Sequence, residues 1–378
     1  MNWKKLNFLC LLLFLLGAFV TPDKGAMQNL RLVDAKASKK TKALYLNLQH
    51  LAKNHILFGH QDDLAYGVNW RAEEGRSDVK EVCGQYPAVF GWDLSKLGKY
   101  SHNIDTVDFE QMKYWIKEAY KMGGVNTISW HMDNFTSKGD SWDTTACVAH
   151  ILPGGPDHEL YLQKLDLFAD FIKELKVGFL FKKKIPIIFR PFHEQTGSWF
   201  WWGKGSTSPE DYKALWQFTV RYLRDEKKLH NLLYCYSTDI CENAEEYMEY
   251  YPGDEYVDIM GMDDYWDVGA KGDPENLTRR LSMLVEIAEE HHKIPVLSET
   301  GFEAIPNKAW WTEILLHYIK NDPKASRIAY LLVWRNARLD HHYAPYLGHS
   351  SSENFQEFTQ DTTIILENDL PKMYKLED

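Results

Sequence analysis

Two glutamates stand where acid chemistry could be done. Glu194 closes the stretch IPIIFRPFHE and is followed at once by QTGSWFWWG, which sets Trp199, Trp201 and Trp202 beside it. Glu299 lies in IPVLSETGF, between Ser298 and the pair Thr300 and Gly301. A carboxyl group desolvated by rings resists ionisation, so it keeps a proton that it can give to a substrate. A carboxylate held by hydrogen-bond donors stays charged and can attack an electrophilic carbon. A retaining glycosidase needs one of each, about 5–5.5 Å apart. Glu194 is therefore the candidate acid/base and Glu299 the candidate nucleophile. Tyr265 is placed to donate its hydroxyl to Glu299. Other polar or aromatic residues that close apolar runs are His60, Asp62, Asp63, Asp93, His131, His193, Asp263, Trp334 and Arg335.

Residues so far apart in sequence need a frame that gathers them. Eight short apolar or β-branched runs recur along the chain, at 55–63, 87–95, 126–134, 185–194, 232–239, 257–265, 294–302 and 328–337. Continuous apolar runs of this kind suit a parallel sheet buried on both faces. Helical patterns lie between most of them, over 108–124, 160–176, 208–227, 274–293 and 307–322. Gly123 and Gly124 give the first a stop signal, and Ser208 with Pro209 gives the third a start. Alternation of this type predicts an α/β chain folded as a (β/α)8 TIM barrel. No Pro/Gly/Ser linker divides it, so one domain is expected over 40–375. In such a barrel the residues that do chemistry sit at the carboxyl ends of the strands, which is where Glu194 (strand four) and Glu299 (strand seven) fall. Two long irregular insertions, 132–158 and 338–358, are expected to rise around that face and wall the cleft. A walled cleft would release disaccharides from the non-reducing end.

Each of these residues also has a plainer reading. Arg190 reads as structural, pairing with a carboxylate such as Asp93 beneath the site. His60 with Asp62 and Asp63 lacks a second histidine cluster, so no metal is expected. Adjacent residues do not share a helical face, so His291 and His292 make a poor chelate. His341 or His342 could line the cleft. At least one tryptophan of the Trp199–Trp202 group is expected to be core. The formal charge of −11, with no long basic run beyond the first residues, argues against nucleic-acid binding. The 14 Trp and 21 Tyr are numerous, and flat rings stack on the apolar faces of sugars.

The chain begins MNWKKLNFLCLLLFLLGAFV, two lysines ahead of an apolar run, which matches a signal peptide over 1–25. That run is shorter than the roughly 20 residues of a membrane span. Export to the periplasm or medium is expected, with lipid attachment at Cys10 the lesser reading. Cys83, Cys147, Cys235 and Cys241 remain. They lack zinc spacing, and an exported chain could pair some of them.

The motifs RPFHEQTGSWFWWG, SETGF and WHMDN resemble glycoside hydrolase family 26, chiefly β-mannanases of the large barrel clan. The resemblance runs from about Leu44 to Arg335. It implies that Glu194 is the acid/base, Glu299 the nucleophile and Tyr265 the nucleophile's hydrogen-bond partner. It further implies that His193 contacts substrate and orients the site, and that His131 and Trp199 lie near the sugar being cleaved. Trp334, with Arg335 beside it, matches an aromatic platform. The stretch WHMDNF departs from the family, which often has Asn-Pro there. The implied activity is retaining hydrolysis of β-1,4-mannosidic bonds in mannan or galactomannan, without a cofactor, by a monomer or weak dimer. Mixed-linkage glucan or β-1,3-xylan as substrate, or a non-catalytic glycan-binding barrel, are the alternatives.

Overall fold

In the computed structural model the described residues are Gly25, 30–179 and 182–376. The proposed signal peptide lies almost wholly outside them. Eight parallel strands form the frame: β1 (Ile56–Gln61), β2 (Val89–Asp93), β3 (Val125–Ser129), β4 (Ile187–Arg190), β5 (Leu232–Thr238), β6 (Ile259–Asp264), β7 (Ile294–Thr300) and β8 (Tyr330–Val333). Each pairs with the next in sequence, and β8 closes on β1 through Leu57↔Tyr330 to His60↔Val333. The eight expected strands are all present, and the closed (β/α)8 barrel follows. A short ninth strand, Ile364–Ile365, adds to the start of β1.

The strands carry apolar residues on both faces because both are covered. Ile188 of β4 joins Leu57, Val89, Val125, Leu233, Ile259 and Val296 in the cluster that fills the lumen. Its neighbours Ile187 and Phe189 point the other way, with Phe58, Trp92 and Ile128, into the layer beneath the helices. Trp201, Trp202, Trp216, Trp310 and Trp311 are fully buried, so much of the aromatic excess is core.

The helices begin and end where their caps allow. Asp108 caps Phe109–Met122 by accepting from Glu110 N and Gln111 N, and Gly123 ends it at φ 102°. Ser208 accepts from Asp211 N at the start of Pro209–Arg221. That helix continues as a π-helical turn over Tyr222–Glu226, and the one expected at 307–322 is π-helical over Trp310–Leu316 before His317–Lys320. Five α-helices were not anticipated: Lys39–Leu51, Asp78–Cys83, Val148–Ile151, Ala244–Glu249 and Ser352–Gln360. The last corrects the reading of 338–358 as wholly irregular, and Val148–Ile151 does the same for 132–158. Cys83, Cys147, Cys235 and Cys241 are unpaired thiols.

Candidate active site

Arg190 is the last residue of β4, and its side chain has the same parity as Ile188, so it enters the lumen at the carboxyl end. There it spans two acids. Its guanidinium donates to Asp263 Oδ2 at 2.7 Å, to Ser237 Oγ at 3.1 Å and to Glu299 Oε1. The expected partner Asp93 is not among them, which corrects that reading. Asp93, at the end of β2 and four strands from Asp263, instead holds His131.

Glu299 owes its position to a bulge. In β7, Val296 belongs to the lumen cluster and Leu297 to the outer layer. Strict alternation would send Glu299 outward with Leu297. The register against β6 slips, however, from Met262↔Leu297 to Asp263↔Glu299, which leaves Ser298 as the extra residue. Ser298 Oγ donates to Asp263 Oδ1 at 2.6 Å, and Glu299 turns into the site, 4% exposed. Tyr265 donates to its other oxygen, Oε2, at 2.9 Å. Both oxygens of Glu299 thus accept from fixed donors, as suits an anion.

Glu194 reaches the site along a different backbone path. Phe192 and Glu194 have left-handed φ angles of 49° and 54°, and Glu194 N donates to Ser237 O at 3.0 Å. Positive φ at non-glycine residues stores strain, and such residues cluster at functional sites. The turn sets the carboxyl group under Trp199, whose Nε1 donates to Glu194 Oε2 at 2.8 Å. Burial raises the Glu194 carboxyl well above the usual range, and the Asp263 and Glu299 charges add to this against the Trp199 donor. One oxygen each of Glu194, Asp263 and Glu299 lie within 4.8 Å of one another. This is the sole such grouping of metal-capable side chains among the described residues, and Arg190 already supplies the cation it needs.

His193 and His131 meet at 3.2 Å through their Nε2 atoms. His131 Nδ1 faces Asp93 Oδ2 at 2.8 Å. Trp142, from the 132–158 insertion, stacks on His131 with ring centroids 5.3 Å apart and planes at 17°. No sequence signal singled out Trp142. Phe200 and Trp202 close over His193, and Trp202 Nε1 donates to the His193 carbonyl at 2.8 Å. Trp199 is 40% exposed and free to meet a ligand, whereas Trp201 and Trp202 are core.

Trp334 is half-buried at the end of β8, its ring centroid 6.4 Å from that of His131. Arg335 pairs with Asp105 at 3.0 Å. Asp105, on the loop after β2, was not anticipated. His60 pairs with Asp63 at 2.8 Å, both buried, and Asp62 accepts from Tyr66 OH at 2.8 Å. His342 is buried against Tyr346 and His349, while His341 pairs with Glu303 at 2.5 Å.

A family model for glycosyl hydrolase family 26 matches residues 33–335. A mannan endo-1,4-beta-mannosidase of Bifidobacterium adolescentis is 35% identical over 301 residues, which is 76% of this chain but 29% of that protein's length. One from Bacillus subtilis is 30% identical over 282 residues, 70% of this chain and 74% of the relative. A GH26 beta-mannanase from Bacteroides ovatus superposes with a TM-score of 0.84 at 41% identity, over 90% of this chain and 98% of the other. The catalytic domain of a Bacillus sp. endo-beta-1,4-mannanase gives 0.86 at 36% identity, over 93% and 98%.

Proposed function

The chain belongs to glycosyl hydrolase family 26, and from that premise we propose that it is a β-mannanase that hydrolyses β-1,4-mannosidic bonds with retention of configuration. The observation that carries the mechanism is the approach of Glu194 and Glu299, with oxygens inside 4.8 Å of each other. That separation suits a direct attack by one carboxylate and leaves no room for an intervening water, which inverting enzymes need.

Glu194 protonates the glycosidic oxygen as Glu299 attacks the anomeric carbon. The aglycone departs and a glycosyl ester forms on Glu299. Glu194, now a carboxylate, takes a proton from water, which attacks the same carbon and releases Glu299. Burial and the neighbouring acids hold Glu194 protonated for the first step. Arg190 and Tyr265 each donate to a different oxygen of Glu299 and hold it aligned for attack. Trp199, Trp334 and Trp142 offer faces for the sugar rings, and Arg335 flanks Trp334.

Glu194→Ala and Glu299→Ala test this directly. Each should lower release of reducing sugar from mannan by about 10²-fold or more with the fold retained. Full activity in either variant would overturn the assignment. A panel of mannan, mixed-linkage β-glucan and β-1,3-xylan tests the substrate, and the reading fails if mannan is left intact. Activity should persist in EDTA, because Arg190 rather than a metal offsets the acids.

The mode of cleavage is read from the cleft walls. The 132–158 insertion is tied back by Lys99 to Asp133 at 2.8 Å, and Trp142 of that insertion lies over His131. The insertion after β8 is tied by His341 to Glu303. Walls of this kind favour mannobiose release from a chain end. Mannohexaose sampled at early times should yield mostly disaccharide, and a broad ladder of products would exclude it. Export is proposed from the leader sequence alone. Recovery of the protein in the cytoplasmic fraction at full length would rule it out.

A further inference from the structure

Asp93, His131 and His193 form a buried row that ends at the residue beside Glu194. Asp93 Oδ2 faces His131 Nδ1 at 2.8 Å, and His131 Nε2 faces His193 Nε2 at 3.2 Å. A contact of that length between two ring nitrogens holds one proton. With none, two lone pairs face each other; with two, the N–H groups collide. His131 Nδ1 must carry a proton too, because Asp93 Oδ2 offers lone pairs there. Two arrangements satisfy both contacts. In one, His131 is an imidazolium whose Nε2–H donates to His193 Nε2, and neutral His193 keeps its proton on Nδ1. In the other, His131 is neutral and accepts from His193 Nε2–H, which leaves His193 Nδ1 as a bare lone pair.

We propose that Asp93, acting through His131, holds His193 as the Nδ1–H tautomer, so that the ring nitrogen of His193 without a protein partner is a donor. The inference rests on the reading of Glu194 and Glu299 as the reacting pair, since His193 directly precedes Glu194 and its ring state sets the surroundings of that carboxyl group. Asp93, His131 and His193 are then positioning residues.

The surroundings choose between the two arrangements. Asp93 Oδ2 also accepts from His131 N at 3.2 Å and Ser129 Oγ at 3.1 Å, and Oδ1 accepts from Ser95 N at 2.8 Å. Four donors on one buried carboxyl group keep it ionised. His131 feels further negative charge from Glu299 and Asp105, and the flat face of Trp142 lies against it, which favours a cation by the ring quadrupole. Burial opposes a charge on His131, but these acids outweigh it and hold its pKa above the ordinary value. His193 is in the opposite position. Burial, then the charges of Arg190 and His131, hold it well below, so it stays neutral. Its Nδ1 is buried with no hydrogen-bond partner.

As pH rises through the raised pKa of His131, the shared proton passes to the His193 side and Nδ1 turns from donor to acceptor. Loss of the Glu194 proton also lowers activity at high pH, so a rate profile alone does not separate the two. Ring-nitrogen NMR does. In the full chain labelled with 15N-histidine, with signals assigned from His131→Asn and His193→Asn, His131 should carry both protons at pH 6. His193 should be protonated at Nδ1 and bare at Nε2. Asp93→Asn should move the His193 proton to Nε2 and lower kcat about tenfold or more, with a smaller change in KM and an unaltered circular-dichroism spectrum. A His193 protonated at Nε2 in the unaltered protein would overturn the proposal, as would an unchanged tautomer in Asp93→Asn. These spectra do not depend on turnover. If Glu194→Gln and Glu299→Gln both stayed active, the catalytic reading would fail while the proton arrangement still stood.

Discussion

The carboxyl group of Glu194 receives one protein donor, Trp199 Nε1, and sits near two other acids. Glu299 receives two donors, one of them a guanidinium. That difference in donors is what distinguishes the proposed acid from the proposed nucleophile, two copies of the same side chain. Trp199→Phe tests the assignment. The indole N–H favours the charged form of Glu194, so its removal pushes that pKa higher still. The alkaline limb of kcat/KM should move to higher pH, and a shift to lower pH would count against Glu194 as the acid. Both glutamates, Tyr265 and the nearby histidines were legible as residues at strand ends. The partners of Arg190 were not. Parity within a strand says that Arg190 enters the lumen, but which acids it meets there depends on the order of strands around the ring. Asp263 and Glu299 lie two and three strands on, and Asp93 lies two strands back.

At the scale of single elements the decisive features are local breaks in regular geometry. The bulge at Ser298 points Glu299 inward, and the left-handed turn at Phe192 and Glu194 presents the Glu194 carboxyl group. Gly301, at φ 140°, lets the chain leave β7 against Tyr343, whose ring lies 5.7 Å from that of Tyr265. A Cβ at Gly301 would sit 2.6 Å from Tyr343 Cδ1. Gly301→Ala should therefore destabilise the protein by about 1–3 kcal/mol and, by displacing Tyr343 and Tyr265, lower kcat. Urea midpoints and rates measured together check this, and a variant with both unchanged would refute the packing account. The strands and five of the helices were visible in apolar spacing and caps. The breaks were not, because a bulge adds a residue without changing composition.

For the whole molecule, burial of acids makes stability depend on pH. Burial pushes Asp258 and Asp239 up to about 6. It pushes Asp263 and Asp264 up to about 8; Arg190 opposes this at Asp263, Glu299 and Asp267 reinforce it at their neighbours. The unfolded chain releases such protons near pH 4. From about pH 4 to about 8 the folded state thus binds more protons than the unfolded one, and stability falls as pH rises. At lower pH the trend reverses, because His131 holds Asp93 below its ordinary value against the effect of burial. The guanidinium chloride midpoint should be higher at pH 5.5 than at pH 8, and the reverse order would contradict the burial of these acids. Among the described residues no helix is long and apolar enough to cross a membrane.

Eight apolar runs separated by helical patterns were enough by themselves to determine a barrel, because a strand buried on both faces leaves no polar alternation and its register in the chain is local. The two glutamates at the ends of the fourth and seventh runs, with rings after one and hydroxyls around the other, already suggested the chemistry proposed here. Tertiary structure alone decided that Arg190 bridges Asp263 and Glu299, that Asp93 faces His131, and that Trp142 covers the site. Those contacts join segments tens of residues apart, and a separation in space follows from strand order, bulges and loop return rather than from the residue types that meet.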